Sequence, residues 1–352
     1  MDINDIDTPA VLIDLAKVEA NLKRAQAYVA AQGWQMRPHV KTHKLPRFAL
    51  RQLELGAVGI TVQKLGEAEA MADGGIHDIF LPYNILGASK LNRLQALHDR
   101  VQLGVTADSL VTIKGYAGQF TDAAHPLRVL IECDTGAGRC GVQTGAEAVA
   151  LARAVLASKG LQFGGLMAYP PRGGMAATQA WLAATLAEFH VAGIAVQTVS
   201  TGGTPDLMHA ASISATTEYR PGTYIYSDRM QVTFGHGSLE DCALTVLATV
   251  VSRPTPDRAI LDAGSKALAA DLCAAPGHGH ILGYPEAIVK VLSEEHAAVD
   301  LSACTRRPEI GERVRVIPNH ACVVSNLFDE VHLMNATQVE EVARITSRGK
   351  LT

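Results

Sequence analysis

No run of 18 apolar residues occurs in the 352-residue chain, so the length needed for a membrane-spanning helix is missing and no membrane partner is expected. The first eight residues, Met1 to Thr8, are acidic and polar with no apolar export core, which makes a cytoplasmic setting the expectation. Lys and Arg number 31 against 35 Asp and Glu, a formal net charge of −4, and they gather into no block. That balance argues against nucleic acid and in favour of a small-molecule partner. The six cysteines, Cys133, Cys140, Cys242, Cys273, Cys304 and Cys322, never stand at CxxC spacing. A structural zinc knuckle and a short-spaced disulfide framework are both disfavoured, and the cysteines read as thiols. Repeats and low-complexity tracts are absent.

What is present is an alternation. Between residues 35 and 226 short β-branched or apolar runs exchange with Ala-rich amphipathic stretches, the pattern of repeated βα units. Eight strands are predicted, at 36–41, 57–62, 78–82, 101–106, 127–134, 161–168, 195–201 and 214–218, with covering helices such as 45–55, 66–73, 89–98, 145–159 and 176–192. The count points to a (β/α)8 TIM barrel, although an open doubly wound sheet gives a similar string. After Met230 the rhythm turns to β segments at 244–252, 258–261, 287–292, 313–317 and 330–333, which reads as a C-terminal, mainly antiparallel β domain. The expected division is a barrel over 8–236 and a β domain over 237–352, with residues 1–15, including a short strand at 10–14, pairing onto the latter.

Four segments carry residues suited to chemistry. The first predicted strand ends in Arg37-Pro38-His39-Val40-Lys41-Thr42-His43-Lys44. Alternation puts Arg37, His39 and Lys41 on one face, the barrel interior, where reactive groups collect at the C-terminal ends of strands. A desolvated lysine has a lowered pKa, as a Schiff-base lysine requires, whereas Lys44 reads as an ordinary loop lysine. Directly after the seventh strand, Ser200-Thr201-Gly202-Gly203-Thr204-Pro205 lets backbone N–H groups approach an anion, and the segment from Thr217 to Asp228 offers it a second flank. The run from Glu132 to Gly141 holds Arg139 among three glycines; no GKS or GKT accompanies it, and a nucleotide-binding reading is weak. In Pro318-Asn319-His320-Ala321-Cys322, a strand conformation would project His320 and Cys322 from one face, where they can share a divalent ion and leave its other positions to water or substrate.

Eight separated segments, in order, resemble one family. They are Asp7-Thr8-Pro9-Ala10, RPHVKTHK around Lys41, GAGRCGV around Arg139, STGGTP, YRPGTYIYSD, Asp262 to Ala267, Leu292 to His296, and PNHAC. Together they are similar to the fold-type III pyridoxal-phosphate (PLP) enzymes of the D-threonine aldolase and D-serine dehydratase group, relatives of alanine racemase. The resemblance implies a barrel joined to a β domain, commonly a homodimer, acting on D-amino acids with PLP at the barrel mouth and a divalent metal ion (Zn, Mn or Mg) held by the β domain. By position Lys41 would carry PLP, Arg139 would face the pyridine nitrogen and Tyr169 would lie near the cofactor. Thr201, Gly202, Gly203 and Tyr224 would hold the phosphate, and His320 and Cys322 the metal. Some aldolase-like members place Asp at this position, whereas this chain, like the dehydratase-like members, has a cysteine, Cys322; a thiolate favours zinc over magnesium. The implied activity is a lyase for D-configured β-hydroxy amino acids. Retro-aldol cleavage of D-threonine-like substrates is preferred, the alternative being dehydration of D-serine or D-threo-3-hydroxyaspartate. An amino-acid racemase and a non-catalytic PLP-binding protein are the remaining readings.

Overall fold

A computed structural model describes residues 2–352. The chain falls into two compact units, one of Met1–Arg24, Thr42–Lys44 and Thr223–Gly349, the other of Ala25–Lys41, Leu45–Gly222 and Lys350–Thr352. Strand β1 (Ala10–Asp14) runs into helix α1 (Leu15–Ala31), within which the division falls.

The second unit holds eight parallel strands: β2 (Gln35–Met36), β3 (Ile60–Thr61), β4 (Asp78–Leu81), β5 (Gln102–Ala107), β6 (Leu127–Cys133), β7 (Leu161–Ala168), β8 (Val199–Thr201) and β9 (Glu218–Tyr219). Their order is β2-β9-β8-β7-β6-β5-β4-β3. The ring closes through a parallel bridge between His39 and Thr61. There Val40 N–H donates to the Thr61 carbonyl and Thr61 N–H to the Pro38 carbonyl, each at 2.8 Å. This closure decides for the barrel against the open sheet. The first strand is shorter than the expected 36–41 because Pro38 has no N–H for the ladder; pairing resumes only at His39.

Helices α2 (Pro46–Glu54), α3 (Leu65–Asp73), α4 (Ala88–His98), α5 (Leu110–Gln119), α6 (Gly145–Leu156) and α7 (Met175–Val191) lie between the strands. Local chemistry starts them where they start. Pro46 occupies the first turn of α2, where no N–H is missed. Thr144 and Glu147 form a reciprocal capping box at α6. Period-two alternation sorts each strand: Ile79, Leu81, Val105, Val129 and Ile131 join the large apolar cluster with residues of the helices, while Phe80, Leu130 and Met167 form a separate small one. The alternate positions also bring charge together. Arg37 Nε donates to Glu218 at 2.7 Å and its Nη1 to Asp78 at 2.5 Å, with Arg37 and Glu218 both buried.

The first unit is built on a nine-stranded sheet of β1, β10 (Leu244–Thr255), β11 (Arg258–Leu261), β12 (Gly279–Ile281), β13 (Ile288–Leu292), β14 (Ala297–Asp300), β15 (Arg313–Pro318), β16 (Glu330–Asn335) and β17 (Gln338–Arg344). It is antiparallel except where β1 meets β16. Among the described residues no helix is long and apolar enough to cross a membrane.

Candidate active site

Lys41 stands half-buried in the turn that follows the His39 bridge, past the C-terminal end of the first barrel strand. Its backbone N–H donates to His39 Nδ1 at 3.3 Å, and His39 Nε2 meets Gln63 Oε1 at 3.0 Å. Because Nδ1 accepts from a backbone donor, the imidazole proton belongs on Nε2. Gln63 shares a cavity of about 370 Å³ with Tyr83, Asn84, Glu132, Arg139 and Cys140, all supplied from beyond the C-terminal ends of barrel strands or from the last turn of β6. Burial drives the Glu132 carboxyl upward, and the opposing charge of Arg139 offsets only part of that. The Arg139 guanidinium in turn lies over the Tyr169 ring, 5.0 Å from its centroid, at cation–π distance.

The three glycines of the loop that carries Arg139, Gly136, Gly138 and Gly141, stand at GxGxxG spacing, yet their N–H groups are taken. Gly136 and Gly138 N–H donate to Asp134 Oδ1, and Gly141 N–H donates to Asp108 Oδ2. The backbone donors that a pyrophosphate would use are thus committed to carboxylates.

Thr201, Gly202 and Gly203 end and follow β8. Gly202 has φ +118°, and a Cβ there would come within 2.9 Å of the Arg220 nitrogen and the Tyr219 ring; one on Gly203 would meet the Tyr169 ring at 3.1 Å. Only side-chain-free backbone fits between these groups. Tyr219 Oη donates to the Gly203 carbonyl at 2.8 Å, and Thr201 Oγ1 pairs with Thr216 Oγ1 at 2.9 Å. The structure therefore brings Arg139, Tyr169 and Gly203 into one chain of contacts. Tyr224 is buried in a 3-10 turn, Thr223–Ile225, within the other compact unit.

Arg220, within the Thr217 to Asp228 segment, has no signal of its own in the sequence. It is fully enclosed, donating to Ser200 Oγ at 2.5 Å and the Ala168 carbonyl at 3.0 Å, and burial pushes its guanidinium down to about 10.

His320 and Cys322 do not share a strand. β15 ends at Pro318, and His320 caps the short helix Ala321–Leu327. The expected strand fails because Ala321 N–H turns to Asp228 Oδ2 at 3.0 Å and starts a helix. The two side chains still meet: the hydrogen bond to Cys322 is the first cause that raises the His320 imidazole to about 9, against burial and with help from Asp271 and Asp228. His320 Nδ1 lies 3.1 Å from Asp271 Oδ1, and Cys322 Sγ lies 3.0 Å from Thr42 Oγ1 and 3.5 Å from Thr223 Oγ1. Asp271 sits in an irregular loop and had no signal in the sequence. Among the described residues no third His, Cys, Asp or Glu completes a metal-holding cluster.

Residues 13–230 match the family described as the alanine racemase N-terminal domain, and residues 243–334 the putative serine dehydratase domain. D-threonine aldolase of an Arthrobacter species is 34% identical over 98% of this chain and 93% of its own length. The chain belongs to the fold-type III PLP-dependent family. Within that family, D-threo-3-hydroxyaspartate dehydratase of Delftia sp. HT23 is 32% identical over 92% of this chain and 93% of its own. The crystal structure of D-threonine aldolase from Filomicrobium marinum superposes with a TM-score of 0.91 at 30% identity, covering 99% of this chain and 97% of that one. With aldolases and dehydratases as its full-length relatives, the chain is a PLP-dependent lyase of the D-threonine aldolase or D-serine dehydratase type.

Proposed function

We propose that the protein cleaves D-configured β-hydroxy amino acids with PLP and a divalent metal ion, and that retro-aldol cleavage of a D-threonine-like substrate to glycine and an aldehyde is its main reaction. The observation that carries this reading is Lys41, held by its own backbone on His39 at the barrel mouth beside the Arg139 cavity. The residues fit both groups. Gly202 and Gly203 are bare backbone because a Cβ on either would run into Arg220, Tyr219 or Tyr169, and side-chain-free backbone after a strand suits a phosphate that must approach N–H groups closely. The His320 and Cys322 pair offers nitrogen and sulfur donors, and Asp271 meets the imidazole at Nδ1, which leaves Nε2 for a metal. PLP, when bound, withdraws electrons from bonds at the substrate α-carbon, and a divalent ion stabilises charge developing on the β-oxygen.

The chain's own residues supply the rest. The Lys41 Nζ would hold the cofactor covalently and, as a free amine, would act as a base. Arg139, stacked over Tyr169, would fix the ring's polar edge. Thr201, Gly202, Gly203 and Tyr224 would hold the phosphate. His320 and Cys322 would hold the metal, with Asp271 orienting the imidazole through Nδ1.

Cys322 favours a second reading, β-elimination. A D-threo-3-hydroxyaspartate dehydratase is also known as a cysteine-to-alanine variant in a metal-free form, and a sulfur ligand is what this chain offers. The test is product identification from D-threonine, D-serine and D-threo-3-hydroxyaspartate with PLP and zinc, manganese or magnesium. Glycine in a one-to-one ratio with aldehyde supports the aldolase. A keto acid with ammonia replaces it by the dehydratase, and racemisation that survives chelation would reject both.

A further inference from the structure

The sulfur at position 322 touches the turn that carries the cofactor lysine. Thr42 is fully buried, and its hydroxyl lies 3.0 Å from Cys322 Sγ. One residue back along the chain is Lys41. The downstream end of the same turn is fastened too. Lys44, at φ +58°, donates from Nζ to the Ser347 carbonyl at 3.4 Å, and its own carbonyl accepts from Ser347 N–H at 3.4 Å. A non-glycine residue in the left-handed region persists where its surroundings over-determine it. The turn is therefore pinned at Lys44 on one side and at His39 on the other, and between them Thr42 is held by the sulfur.

We infer that Thr42 is a positioning residue through which the state of Cys322 reaches Lys41. The inference rests on His320 and Cys322 holding the metal. A free thiol can either donate to Thr42 or accept from it, as the geometry allows both. A metal-bound thiolate has no proton, so Thr42 must donate. Threonine is stiff at χ1, and a hydroxyl committed to the sulfur fixes the backbone one peptide unit from the lysine. Thr223, at 3.5 Å from the same sulfur, adds a weaker donor. Hydrogen bonds of this kind to a metal ligand commonly carry a 10- to 100-fold effect on metal affinity.

The test uses PLP-loaded, metal-stripped protein titrated with cobalt(II). It compares wild type, Thr42→Val, Thr42→Ala, Thr42→Ser and Cys322→Ala, with folding checked by circular dichroism. Two readouts are followed: the sulfur-to-cobalt charge-transfer band and the visible band of the lysine-bound cofactor. The expected result is about a 10-fold or greater loss of cobalt affinity in Thr42→Val and Thr42→Ala, together with loss of the metal-induced change in the visible band. Thr42→Ser should restore both. Wild-type behaviour of either hydroxyl-free variant overturns the inference while leaving the metal site intact. If wild type itself shows no metal-induced change in the visible band, the inference is overturned without any variant. If cobalt binds wild type and Cys322→Ala alike with no charge-transfer band, it is the metal-site reading that has failed.

Discussion

At the scale of single residues, the chemistry is concentrated in short strings whose partners come from elsewhere. Lys41 stands out in the sequence through the RPHVKTHK run that carries the family resemblance; the strand alternation that would point it inward stops at Met36, and the lysine lies in the turn after His39. Its controls are less legible. Gln63 reaches His39 from after β3, and Thr42 finds its sulfur 280 positions away. Asp271 reaches His320 from a loop with no pattern of its own. Such pairings are set by tertiary closure, which leaves no periodic trace. The half-buried Lys41 side chain contributes little to packing, so Lys41→Ala should leave the melting temperature within a few degrees of wild type. It should also abolish the visible absorbance that PLP gives the wild type and leave no borohydride-trapped adduct. A trapped adduct on another lysine in the wild type would remove the basis of the proposed function.

At the scale of elements, strands with clean alternation and flanking turns were readable to within a residue or two, as β6 and β7 show. Those interrupted by proline or a helix-starting acceptor were not, as after Met36 and at His320. The ion pair joining β9 to the end of β2 ties two neighbouring strands of the ring together. Burial alone would raise the Glu218 carboxyl, but Arg37, the Ser200 hydroxyl and Arg220 outweigh it and leave the group below the usual range. The folded state thus binds that proton less readily than the unfolded chain. The pair's contribution is complete above the unfolded carboxyl value of about 4.3 and is lost as pH falls through the lower folded value. Glu218→Gln should lower stability at neutral pH by roughly 3 kcal/mol, since it leaves Arg37 buried with one partner fewer. It should also flatten the acid limb of a stability-versus-pH curve measured by urea unfolding. An unchanged acid limb would mean that other carboxylates set it.

At the scale of the whole molecule, sequence order and structural order part company at the N-terminus. The barrel's eight strands were countable from the sequence, but its closure was not, because an open sheet and a ring differ only in whether the first and last members of the order are bridged. β1, expected at 10–14 and onto the β domain, pairs far from its place in the chain. It lies between β10, which it pairs antiparallel with Ala10 opposite Leu247, and β16, which it pairs parallel with Leu12 opposite His332. Its residues Val11, Leu12 and Ile13 are fully buried. A fragment of residues 223–349 would therefore carry a sheet with its middle strand missing and two unpaired edges facing each other. Such a fragment should be poorly soluble, with weak β-type circular dichroism and no cooperative melt. Joined through a flexible linker to residues 1–24, it should regain both a cooperative transition and protection of the β10 and β16 amides from hydrogen exchange. Equal protection of those amides with and without residues 1–24 would show that the sheet closes over the gap and that β1 is dispensable to it.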